Sequence, residues 1–157
     1  MDSRLRGKGF TLIELLVSLV ILSIGLLGLA GLQNVGIAAN YSSLQRSQAS
    51  WLASEMAELL RANPVAARAG SYDTGFSATA GGCPSLSGST RAQLDLSQWL
   101  GSVCEALGGT GSGSVRVVRN GDLYSAIIAV RWDDGRARRR LTDSGESWEI
   151  FTFHAGL

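Results

Sequence analysis

Residues 9–32 read GFTLIELLVSLVILSIGLLGLAGL, and Glu14 is the only charged residue between Lys8 and Arg46. At about 1.5 Å per helical residue, the stretch from position 10 to position 32 spans roughly 34 Å, comparable with the hydrocarbon core of a bilayer. The run is therefore predicted to be a membrane-spanning helix. A secretory signal peptide shares its basic start and apolar body, but carries only about 7–15 apolar residues followed by a small-x-small cleavage site. This run is longer, and Leu29-Ala30-Gly31-Leu32 matches such a site poorly. Glu14 stands out, because a carboxylate inside a membrane segment costs a few kcal/mol unless it reaches the headgroups or finds a partner.

The charge pattern agrees with this reading. The 157 residues carry 14 basic and 13 acidic side chains, a formal net charge of +1, so bulk electrostatics give no reason to propose a nucleic-acid partner. Arg4, Arg6 and Lys8 fall before the apolar run with Asp2 as the only acid, which leaves 11 basic and 12 acidic residues beyond it. By the positive-inside rule the N-terminus is cytoplasmic and the bulk of the chain lies outside. The hydrophobic share of 45% argues against disorder, and the length against a large multidomain enzyme.

The short basic leader followed by GFTLIELLVSLVIL, residues 9–22, resembles the processing and methylation motif of type IV pilins and of the pseudopilins of type II secretion. The resemblance implies that prepilin peptidase, a membrane aspartyl peptidase, cuts between Gly9 and Phe10 on the cytoplasmic side and that the new Phe10 amine is methylated. A glycine before the cut lets a protease approach the backbone closely. The resemblance also gives Glu14 a role in assembly. The methylated Phe10 amine of one subunit would neutralise Glu14 of a neighbour as the helix leaves the lipid, and loss of either partner would strand the other charge.

No proline interrupts the chain from Phe10 to Pro64, and helical spacing continues beyond the bilayer. Leu44, Trp51, Leu52, Met56, Leu59 and Leu60 recur at steps near three, four and seven between polar residues, so 33–63 is expected to be an amphipathic continuation with these side chains inward. It should stop near Asn63, since Pro64 disfavours helical geometry in the residue before it. Residues 70–92, rich in Gly, Ser and Thr, are read as an ordered loop. Asp95-Leu96-Ser97-Gln98 resembles a capping box opening a short helix that ends at Gly108-Gly109. Residues 108–114 are read as a flexible break. Strands are then expected over 115–119, from Tyr124 to Trp132 with Tyr124, Ala126, Ile128, Val130 and Trp132 on one face, over 136–141 and over 146–153, with turns at Asn120-Gly121-Asp122, Asp133-Asp134-Gly135 and Asp143-Ser144-Gly145. The expected fold class is α+β, a type IV pilin fold with the long N-terminal helix packed on a small antiparallel sheet. The expected division is a cleaved cytoplasmic leader at 1–9, a transmembrane and filament-core helix at 10–32, its continuation at 33–63 and a periplasmic head at 64–157.

Cys83 and Cys104 are the only cysteines, and the topology places both outside the cytoplasm, which favours a disulfide between them. Free thiols for redox or metal work are the alternative, without a Cys-x-x-Cys spacing or a histidine cluster to support it. His154, the sole histidine, lies close to the C-terminus and has no nucleophile motif beside it. Asp133-Asp134 is explained by a turn. Arg136, Arg138, Arg139 and Arg140 offer a patch for an anionic partner, but an edge strand protected by charge is the simpler reading. Tyr72, Phe76, Trp99, Trp132, Trp148, Phe151 and Phe153 are expected to pack the head. No active site, cofactor or metal is predicted.

SIGLLGLAGLQ at 23–33, SEMAELLRANP at 54–64 and, more loosely, DLSQWL at 95–100 resemble the PilV (type IV pilus modification protein) family of minor pilins. This implies a non-enzymatic subunit that primes assembly at the pilus tip with other minor pilins and the major pilin, resident in the inner membrane lipid beforehand. The alternatives are a minor pseudopilin of type II secretion, distinguished by a secretion defect, and a membrane-anchored adhesin or DNA-binding subunit that needs no cleavage at Gly9.

Overall fold

The computed structural model describes residues 10–76, 83–85, 87–135 and 148–157. The leader, the expected strand at 136–141 with its four arginines, and the turn at 143–145 lie outside the described residues. The chain forms two units, the first ending at Ile37 and the second spanning Ala38–Leu157. Helix α1 covers Leu12–Ala62 without a break. It ends where the proline predicts. Asn63 leaves helical geometry at φ −133° and ψ 65°, and a one-turn helix α2, Pro64–Arg68, restarts with Pro64 in its first turn, where the missing N–H costs no hydrogen bond.

The second unit builds an α+β core from the last part of α1, helix α3 (Arg91–Ala106) and strands β1 (Ser112–Asn120), β2 (Leu123–Asp133) and β3 (Trp148–Gly156). The strands form one antiparallel sheet in the order β1-β2-β3. Asn120 pairs with Leu123, so the hairpin loop is Gly121-Asp122, with Gly121 at φ +63° supplying the left-handed first position that a type II′ turn demands. Along β2, Ala126, Ile128, Val130 and Trp132 are buried, the alternation that the sequence predicts.

The buried stripe of α1 includes Leu52, Met56 and Leu60 as expected, with Leu59 partly buried beside them, but not Leu44 or Trp51. Ala49, Leu52, Ala53, Met56, Ala57 and Leu60 face the core, whereas Leu44 is 53% and Trp51 76% exposed. Three alanines on the inward face let the other elements approach the helix closely, and that preference for small side chains displaces the larger Leu44 and Trp51 to the opposite side. The aromatic expectation holds for Tyr72, Trp99 and Trp132, which are buried, and for Phe151 and Phe153, which pack on the core from its edge. It fails for Phe76 and Trp148. Both are surface rings, and the Arg131 guanidinium lies 4.7 Å from the first and 4.8 Å from the second.

Helix α3 starts five residues earlier than a cap at Asp95 suggests. Thr90 Oγ1 accepts from the Gln93 N–H, and Gln93 Oε1 accepts from the Thr90 N–H, so the capping box is Thr90-x-x-Gln93. Asp95 is instead a buried acceptor: Arg91 Nε donates to Oδ1 at 2.8 Å and the Tyr72 hydroxyl to Oδ2 at 3.0 Å. Asn63 in turn donates to the Tyr72 oxygen at 3.3 Å, joining the end of α1 to α3. Burial pushes the Tyr72 hydroxyl above its ordinary pKa; the hydrogen bond from Asn63 opposes this and the one to Asp95 adds to it. The other end of α3 follows expectation, with Gly108 at φ +74° and Gly109 at φ +81° closing the helix.

Strand β1 begins at Ser112, inside the stretch expected to be a flexible break. The reason is packing. A Cβ on Gly113 would overlap the indole ring of Trp99, so glycine here is the residue that lets strand and helix meet. Strand β3 begins at Trp148 and runs to Gly156, past the expected end at Phe153.

Cys83 and Cys104 form a disulfide that ties the loop before α3 to the last turn of that helix, across 21 residues of chain. Closing a loop of this size stabilises the folded head by about 3 kcal/mol in the chain-entropy model. Cys83→Ser combined with Cys104→Ser is expected to lower the melting temperature of the head by roughly 10–15 °C, read by circular dichroism. A loss under a quarter of that would show that the loop is held by its other contacts.

Candidate assembly site

The candidate functional residues at the start of the chain converge on the first turn of α1. Thr11 is its N-cap: its Oγ1 lies 3.4 Å from the Glu14 N–H, and its carbonyl accepts from Glu14 and Leu15. Thr11-Leu12-Ile13-Glu14 thus has the Ser/Thr-x-x-Glu pattern that opens a helix, a signal present in the sequence and missed there. Glu14 is the acidic residue of the first turn, where the positive end of the helix dipole favours a carboxylate. Its position has a local structural cause besides any role in assembly. Phe10, the residue that would follow the cut, is 80% exposed immediately before the cap. Gly9 lies outside the described residues.

Every side chain from position 10 to position 37 is exposed in the single chain, Leu12 at 81% and Leu27 at 74% among them. Helix α1 contains a window of mean hydropathy 2.6, long and apolar enough to cross a membrane by length and composition. An apolar surface of this extent requires lipid or other subunits to cover it. Its two serine hydroxyls are satisfied within the helix. Ser18 Oγ donates to the Glu14 carbonyl at 2.6 Å and Ser23 Oγ to the Leu19 carbonyl at 2.7 Å, which hides both hydroxyls inside the helix. Glu14 is the one charged side chain on this surface.

The residues weighed as chemical groups do not converge. His154 is exposed on β3, opposite Ile127. Asp133 Oδ1 accepts from the Gly135 N–H at 2.8 Å, an Asx-type contact. Asp134 is not a surface turn residue: it is 3% exposed, and Ser42 Oγ of α1 donates to its Oδ2 at 2.9 Å. Among the described residues no group of three or more His, Cys, Asp or Glu side chains is placed to hold a metal.

The model of one family, the prokaryotic N-terminal methylation motif, matches residues 4–30. Neither the comparison with curated proteins nor that with solved structures gives a match. The matched segment contains Gly9, Phe10 and Glu14 and marks the chain as a precursor of the type IV pilin-like or pseudopilin kind, a substrate of prepilin peptidase.

Proposed function

We propose that this chain is a minor pilin of a type IV pilus, of the PilV kind, which joins other minor pilins in a tip complex that starts assembly and has no enzymatic activity of its own. The observation that carries the reading is the apolar helical surface over residues 10–37, bearing one carboxylate in its first turn, in a chain that also carries a disulfide-closed α+β head. Before assembly that surface is solvated by inner-membrane lipid, with the head in the periplasm. After cleavage between Gly9 and Phe10, the methylated amine pairs with Glu14 of a neighbouring helix, which lets both charges enter an apolar bundle. Neighbouring pilins then replace lipid around the helix.

The test is the amount of pilus sheared from cells lacking the chain, compared with the restored strain and with total major pilin quantified. Loss of surface pili with major pilin retained in the membrane is the expected result. Unchanged pili together with loss of type II secretion would transfer the chain to the pseudopilins.

A further inference from the structure

A small polar cavity of about 100 Å³ lies in the second unit where β2 ends. Tyr41 and Gln45 of α1, Thr110 of the α3–β1 connection, and Asp133 and Asp134 provide its polar lining. Two of these groups are buried without a donor among the described residues. Among the described residues, Gln45, 2% exposed, has no hydrogen-bond partner for Oε1, and Asp134, 3% exposed, has none for Oδ1, although its Oδ2 is held by Ser42. An acceptor buried in this state costs roughly 1–3 kcal/mol, more when it is charged, so a pair of them facing one cavity calls for something positive or proton-donating. Asp133 adds a second carboxylate, whose Oδ1 is engaged by the Gly135 N–H. No lysine, arginine or histidine is among the described residues that line the cavity.

We infer that the carboxylates of Asp134 and Asp133 and the amide oxygen of Gln45 bind a hard divalent cation of calcium size between α1 and the end of β2. The lining supplies oxygen donors and neither His nor Cys, which disfavours zinc and other borderline metals. Carboxylate and side-chain amide oxygens are calcium's usual ligands, and water completes its shell of six to eight. Magnesium needs near-ideal octahedral geometry and dehydrates reluctantly, so a mixed, partly enclosed site selects against it. With only two carboxylates the affinity belongs to the weak range of extracellular modules, a Kd of about 10⁻⁴–10⁻³ M. Binding would fasten Gln45 of α1 to the sheet through Asp134, beside the existing Ser42 bond.

The test uses the full chain in detergent after chelation. Calorimetric titration should show one saturable calcium site, and about 5 mM calcium should raise the melting temperature by roughly 3–10 °C, with little response to the same concentration of magnesium. Asp134→Asn removes the unpaired charge without changing shape. It should melt no lower than the parent chain in chelator while losing at least roughly tenfold in calcium affinity, and Gln45→Leu should weaken binding with Asp134 intact. Absence of saturable calcium binding in a chain shown to be folded by circular dichroism would overturn the inference, leaving ordinary water as the cavity's occupant. So would calcium binding that survives Asp134→Asn undiminished.

Discussion

Cells whose only copy of the chain carries Glu14→Ala are expected to cleave the leader at the normal rate and to retain the protein in the membrane, yet to incorporate at least roughly tenfold less of it into sheared pili. The magnitude follows from the cost of an unpaired charge in a low-dielectric bundle, about 3–5 kcal/mol when one partner of a buried pair is removed. The substitution leaves the helix start in place. Thr11 caps the backbone N–H of residue 14, and alanine keeps that N–H. Glu14→Gln separates charge from shape: it keeps the length of the side chain and should be as defective as alanine. Normal incorporation of either variant would remove the amine–carboxylate pairing. Gly9→Val supplies the complementary control, because it should block cleavage and leave a protein heavier by nine leader residues, visible by mass spectrometry, with Glu14 untouched. If Glu14→Ala also kept its leader, the carboxylate would belong to recognition by the peptidase instead of assembly.

What the sequence reveals about this molecule depends on how local the determining physics is. The apolar run, the stop before Pro64, the Gly121-Asp122 hairpin and the inward face of β2 are set by spacing and by single residues with strong backbone preferences, and they were legible. The processing segment was legible for the same reason, being contiguous. The inward face of α1 was legible in part, through Leu52, Met56 and Leu60, because periodicity finds apolar positions without separating those that face the core from Leu44 and Trp51. There the alanines at 49, 53 and 57 outweighed the bulk of Leu44 and Trp51. The start of α3 failed similarly. Thr90 and Asp95 both precede a glutamine at the right spacing, and the choice was made by Tyr72 and Arg91, which engage Asp95 from the side. Asp134 looked like part of a turn, and only the tertiary fold brings it against Ser42 and into one cavity with Gln45. The glycines of the stretch before Val115 read as flexibility, whereas one of them is a contact surface.

That contact supports the largest expected effect on stability. Trp99 is 1% exposed, donates its indole N–H to the Leu52 carbonyl at 2.8 Å and covers Gly113, so a single side chain joins α3 to α1 and to β1. Trp99→Ala is expected to destabilise the head by about 3–5 kcal/mol, through lost burial and the cavity left behind. Trp99→Phe, which keeps most of the ring and loses the donor, should cost distinctly less, since a neutral hydrogen bond contributes only about 1 kcal/mol net. Gly113→Ala attacks the same contact from the other side. Its Cβ has no room beneath the indole, and displacing a packed tryptophan costs about 1–3 kcal/mol. The two changes should not add. With the ring removed, the alanine methyl enters vacated space, and a strand alanine loses less backbone entropy on folding than glycine, so Gly113→Ala should become neutral or stabilising in the Trp99→Ala background. Urea denaturation of the four proteins gives the coupling energy directly, and it should be of order 2 kcal/mol. Strict additivity would mean that Gly113 answers to something other than Trp99, and that β1 reaches back to Ser112 for a reason unrelated to the helix beneath it.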